Sequence, residues 1–174
     1  MGDALKYATR ERARFQSELF AFLRIPSVSA KSEHDVDTRR AATWLADNLS
    51  RSGLDVEVLE TPKHPVVLGE WRGAGADAPT VLIYGHYDVQ PAEPFEEWSS
   101  PPFDPEVRDG KVFARGSADD KGQIFMHVKA LEAALADGRS LPVNIVVLAE
   151  GEEEIGSPSL VPFVEKYKQR LAAD

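Results

Sequence analysis

Val143-Asn144-Ile145-Val146-Val147-Leu148 is a nearly continuous apolar run, and a second one, Val81-Leu82-Ile83-Tyr84, stands earlier in the chain. Strands covered on both faces read this way. Between them Ile124, Val128, Leu131 and Leu135 recur at helical spacing, marking a helix from about Asp120 to Ala136 that Asp137-Gly138 ends. Strand, helix, strand predicts an α/β fold, a partly parallel sheet flanked by helices, with both apolar runs as central strands.

The flanking sequence fills in that frame. Asp55 to Glu60 alternates like a strand exposed on one face. A helix is predicted from about Val36 to Ser52, with Ala41, Trp44, Leu45 and Leu49 on its core face and Gly53 at its C-cap. An amphipathic helix is predicted between Asp3 and Arg24, carrying Phe15, Leu19, Phe22 and Leu23 inward and stopped by Ile25-Pro26. From Val89 to Asp109, Pro91, Pro94, Pro101, Pro102 and Pro105 exclude regular structure through most of the stretch. Long ordered loops of this kind are usually functional segments or lids.

The 174 residues carry 20 Lys plus Arg against 29 Asp plus Glu, a net charge of −9, with 43% hydrophobic residues and no cysteine. That is enough apolar material for one domain, or part of a larger one. Without cysteine, any metal must be held by His, Asp or Glu. The acidic balance argues against nucleic acid and anionic membranes as partners. No apolar run is long enough for a signal peptide or a membrane span, so a cytoplasmic location is expected.

Three segments can carry chemistry. In Gly85-His86-Tyr87-Asp88, at the end of the first apolar run, residues i and i+2 share a face. Asp88 can therefore orient the His86 imidazole for a metal, although for such a pair alone a strand-end His hydrogen-bonded to a turn Asp is the favoured reading. In Arg115-Gly116-Ser117-Ala118-Asp119-Asp120-Lys121-Gly122, one Asp can be the N-cap of the following helix, and the second then invites another role such as metal bridging. In Glu150-Gly151-Glu152-Glu153-Glu154-Ile155-Gly156-Ser157, crowded glutamates need a cation, a raised pKa or solvent. The ordinary alternative is a solvated acidic turn leading into a helix capped by Ser157, with Pro158 at its first position.

Taken together the segments reinforce one another, because ligands of open α/β sheets bind outside the carboxyl ends of the strands. Asp119 follows His86 by 33 residues and Glu153 follows Asp119 by 34, each about one crossover unit. A His and carboxylate set suits zinc, with manganese or cobalt as substitutes. No Gly-rich run ending in Gly-Lys-Ser/Thr and no Gly-x-Ser-x-Gly elbow is present, which sets aside P-loop and Ser-His-Asp chemistry.

Tyr84-Gly85-His86-Tyr87-Asp88-Val89-Gln90-Pro91 and the two later segments resemble the three signatures of the di-zinc metallopeptidases that include carnosinase, carboxypeptidase G and succinyl-diaminopimelate desuccinylase. The His-Tyr-Asp-Val-Gln-Pro form and the Trp98 to Pro105 loop are most similar to the dipeptidase branch. The resemblance implies that His86 ligates one of two zinc ions, Asp119 bridges both, Glu154 ligates the other and Asp88 supports His86. It makes Glu153 the general base that activates a metal-bridging water against the amide of a dipeptide or N-acyl amino acid, leaving Glu152 outside the site. It also implies a cis peptide between Asp119 and Asp120.

The resemblance covers residues 1–174 as the N-terminal part of a catalytic domain. The family's second carboxylate ligand, its second His, and its inserted lid and dimerisation domain have no counterpart in this sequence, and a homodimer is expected only of the full-length protein. Each metal keeps two of three expected protein ligands, so the alternatives are an inactive fragment or, from another class, a metal-free protein-interaction module. His34, His64 and His127 are not expected to be ligands. Trp44 and Trp71 are expected in core or edge packing, and Trp98 either lines the cleft or anchors its loop.

Overall fold

The computed structural model describes residues 2–174. Its centre is a four-stranded sheet made by β1 (Asp55–Leu59), β2 (Val66–Trp71), β3 (Thr80–His86) and β6 (Asn144–Glu150), in the order β1-β2-β6-β3. A separate hairpin pairs β4 (Glu106–Arg108) with β5 (Lys111–Phe113). The helices are α1 (Gly2–Arg10), α2 (Arg12–Leu23), α3 (Asp35–Arg51), α4 (Lys121–Leu135) and α5 (Leu160–Tyr167).

β6 is buried along its whole length, and its period-2 alternation divides the core in two. Ile145, Val147 and Ala149 join Val67 of β2 under Leu45 and Leu49 of α3 and Ile124, Val128 and Leu131 of α4. Val146 and Leu148 point the other way and pack with Val66, Leu68, Phe163 and Leu171. Three layers result: α3 and α4 with the end of α2 on one side, the sheet, then α5. Full burial of Leu45 and Leu49 contributes roughly 2 kcal/mol apiece.

The β3-α4-β6 unit is parallel as the sequence predicts, with Thr80 opposite Asn144 and His86 opposite Glu150. β3 corrects one expectation, since it is an edge strand rather than a central one, with Val81, Leu82 and Tyr84 39–49% exposed. The central neighbour of β6 on its other side is β2, antiparallel to it. Sequence reading passed over β2 because Gly69-Glu70 interrupts its apolar run.

Other boundaries shift. The first predicted helix is two helices divided at Glu11, with Phe22 and Leu23 the buried residues of α2. Gly53 takes the left-handed conformation expected of it, at φ 96°. Ser157 does not cap a helix: its own φ is 51°, and α5 begins at Leu160 behind Ser159. The Glu150 carboxylate just upstream recruits the Ser157 hydroxyl at 2.8 Å, so the chain needs one further turn before it can enter the helix. The proline-rich stretch is irregular until β4, and it is pinned where Trp98 Nε1 donates to Ala92 O at 2.8 Å and Arg24 to Asp104 at 3.0 Å. Trp98 therefore anchors its loop.

Candidate metal centre

Because β3 and β6 are parallel and end in register, the segments following His86 and Glu150 leave the same edge of the sheet side by side. The pairing continues one step further, with Tyr87 N donating to Glu150 O at 2.9 Å. The fully buried Tyr87 ring lies against Gly151, where any Cβ would run into it, and its hydroxyl donates to Pro65 O. The His-Tyr-Asp and Glu-Gly-Glu segments are thus packed directly on each other.

Asp88 organises what stands above. Its carboxylate is fully buried and accepts hydrogen bonds from Ser29 Oγ at 2.6 Å, Glu154 N at 3.1 Å and Glu153 N at 3.3 Å. The latter two N–H groups open the single 3-10 turn Glu153–Ile155, so one carboxylate sets the height of the glutamate turn. The same carboxylate lies 3.3 Å from His86 Nδ1, whose other neighbour is the Asp88 carbonyl at 3.1 Å. Turning Nδ1 inward leaves Nε2 as the outward nitrogen.

His86 Nε2 meets Asp119 Oδ1 at 3.1 Å and Glu153 Oε2 at 3.9 Å. Donor atoms of His86, Glu153 and Glu154 all lie within 4.8 Å of one another. Asp119 approaches the same Nε2 but does not join that group of three. Its peptide bond to Asp120 is cis. Glu154 Oε2 accepts from Gln90 Nε2 at 2.7 Å, whereas Glu153, 43% exposed, meets only the His86 ring among the described residues.

The electrostatics favour a cation. Burial works against a charge on His86, yet the Asp88, Asp120 and Asp119 carboxylates outweigh it and raise the imidazole to about 9. One imidazole with several carboxylates and no thiolate is a donor set for zinc or its neighbours.

The other acids have structural partners. Glu152, 1% exposed, accepts from His64 N at 2.9 Å, Ser159 N at 3.0 Å and the hydroxyls of Thr61 and Ser159. It staples the glutamate turn to the loop before β2. Glu150 accepts from Tyr84 OH at 2.6 Å and Ser157 Oγ at 2.8 Å, and burial raises its pKa. Asp120 stands at the N-cap position of α4 but makes no cap bond. Among the histidines, His127 faces solvent on α4, His34 pairs with Asp37 at 3.0 Å, and buried His64 reaches Ser29 O at 3.3 Å.

Sequence reasoning missed Ser29, which arrives from a segment nearly sixty residues upstream; the gap of 59 to Asp88 leaves no local signature. Gln90 lay within the motif but carried no signal of its own. Lys121 was likewise unassigned: fully buried, it donates to Ile25 O at 2.6 Å and Phe22 O at 3.2 Å, and burial pushes it down to about 7. It ties the start of α4 to the end of α2, fixing the helix that follows Asp119 and Asp120.

The peptidase family M20/M25/M40 model matches residues 82–174, a span that includes all three segments. A cysteinylglycine-S-conjugate dipeptidase of Corynebacterium striatum is 36% identical over 173 residues, covering 95% of this chain and 36% of the relative. The β-Ala-His dipeptidase of Homo sapiens is 36% identical over 158 residues, 91% of this chain and 29% of the relative. The crystal structure of human carnosine dipeptidase 1 superposes with a TM-score of 0.90 at 33% identity, covering 98% of this chain and 38% of that one. The chain therefore spans about a third of the length of these relatives, between 29% and 38%. With the fold, the ordered segments and the matches in agreement, this chain belongs to peptidase family M20/M25/M40.

Proposed function

We propose that this chain is the N-terminal part of a di-zinc dipeptidase catalytic domain and carries its general base. In this reading His86, Asp119 and Glu154 hold metal, Asp88 supports His86, and Glu153 moves the proton. The observation that supports it is the convergence on His86 of Asp119 and Glu153, both at Nε2, with a Glu154 donor atom within 4.8 Å of those of His86 and Glu153. Bound zinc supplies Lewis acidity that polarises the scissile carbonyl and acidifies water.

The two glutamates divide their roles by surroundings. Glu154 is held by Gln90, as a ligand must be if its oxygen is to stay in place. Glu153 is exposed and its carboxylate stands 3.9 Å from His86 Nε2, with no hydrogen bond to fix it among the described residues, so it can take a proton from the attacking water and return it to the leaving amine. Water adds its oxygen to the carbonyl carbon, the C–N bond breaks, and the products are a carboxylate and an amine.

Relatives that are dipeptidases by name favour a dipeptide over other N-acyl amino acids as substrate. Each metal has two ligands in this chain, fewer than the three that catalytic zinc sites usually retain, so the remaining ligands belong to the rest of a full-length protein, which in this reading is a homodimer.

The test is Glu153→Gln in a polypeptide of full family length. Amide hydrolysis should fall by about 10²–10⁴-fold or more with metal content unchanged. Retained turnover would overturn the base assignment, and loss of metal would overturn the division of roles between Glu153 and Glu154.

A further inference from the structure

Asp120 occupies the position from which an Asp ordinarily caps a helix, and its side chain makes no cap bond. Instead its Oδ2 accepts the main-chain N–H of His86 at 3.0 Å. Its neighbour Asp119 meets the other end of the same residue, at Nε2, at 3.1 Å. The two consecutive acids therefore hold one histidine from both sides, by its backbone and by its ring.

The space for this grip is provided by the residue before the histidine. A Cβ at position 85 would lie 2.7 Å from Asp120 Oδ2 and 2.9 Å from Ile124 Cδ1. Gly85 thus lets the start of α4 close against the end of β3, where the last backbone donor of the edge strand would otherwise face no strand. Asp120 satisfies that donor in place of a sheet neighbour.

We infer that Asp120 is a positioning residue: by binding the His86 amide it fixes the distance between the His86 imidazole and the Asp119 carboxylate, so that the two form a preset pair for a metal ion. The inference rests on the reading of His86 and Asp119 as ligands, but the clamp itself exists without metal. Second partners of this kind orient ligands that a flexible chain end would otherwise leave free.

The test has two arms. In the metal-free chain, nitrogen-15 NMR follows the His86 amide and imidazole nitrogens in wild type, Asp120→Ala and Asp120→Asn. Asp120→Ala should shift the amide upfield, speed its hydrogen exchange at least about tenfold, and move the ring nitrogens as Asp119 is released. Asp120→Asn keeps an acceptor oxygen and should restore the wild-type signals. In the second arm, titration with Zn²⁺ alone should show affinity reduced about 10–100-fold in Asp120→Ala and near wild type in Asp120→Asn.

If Asp120→Ala does not fold, Gly85→Ala serves the same arms, because its methyl displaces the carboxylate without removing it. Unchanged His86 signals in folded Asp120→Ala, or no difference between the Ala and Asn variants, would overturn the clamp. Altered NMR signals with Zn²⁺ bound equally by all variants would overturn the positioning role for metal, whereas Zn²⁺ uptake unaffected by His86→Ala would overturn the ligand reading itself.

Discussion

The Asp88 carboxylate, reached from β3, accepts the main-chain N–H of Glu154, reached from β6, at 3.1 Å. Through this bond the strand that delivers the histidine also sets the height of the turn that delivers the glutamates. Neither motif is placed independently of the other.

Asp88→Ala should therefore cost more than one contact. It leaves the Ser29 hydroxyl and the N–H groups of Glu153 and Glu154 without their acceptor in a buried site, a loss of roughly 3 kcal/mol. Asp88→Asn, with one carbonyl oxygen remaining, should lose about half as much. Urea denaturation of the two variants measures the difference, and equal midpoints for wild type and Asp88→Ala would contradict the arrangement.

Glu152 and Glu154 should separate cleanly although they are two residues apart. Glu152→Ala removes the acceptor of His64 N, Ser159 N and two hydroxyls, and should destabilise the chain by about 2–3 kcal/mol. Glu154→Gln should leave stability nearly unchanged and weaken Zn²⁺ binding. Thermal melts with and without zinc report both effects.

The acid limb of stability should depend on Glu132. Burial alone would raise its pKa, but Arg14, Lys129 and the Tyr7 hydroxyl offset this and hold it below its ordinary value of 4.5. A depressed folded pKa means that the unfolded chain binds the proton more readily. The contribution is therefore complete above pH 4.5 and lost as pH falls through the lower folded value. Glu132→Gln should lower the melting temperature at neutral pH and flatten its decline below about pH 4.5. A parallel decline in wild type and variant would contradict the network.

The parts legible in the sequence were those with local periodicity. The apolar runs and the spacing of Ile124, Val128, Leu131 and Leu135 marked the β3-α4-β6 unit, and the parallel pairing followed from its strand-helix-strand order. The position of β3 at the edge was not legible, because apolar residues such as Val81 and Leu82 read the same whether or not a neighbour covers them. β2 was hidden by Gly69-Glu70. At the site, the ordered motifs pointed to His86, Asp119, Glu153 and Glu154, but the partners that place them came from distant segments. Ser29 supports Asp88 from across the fold, and Asp120 looks like a helix cap in sequence while binding His86 in space.

The most direct test of the metal centre is a calorimetric Zn²⁺ titration of the 174-residue chain beside its His86→Ala variant. The account predicts chelator-reversible uptake by wild type, weaker than that of a complete three-ligand site, and loss of that uptake in the variant, with both proteins folded. Equal zinc binding by the two, or none by the wild-type chain, would contradict it.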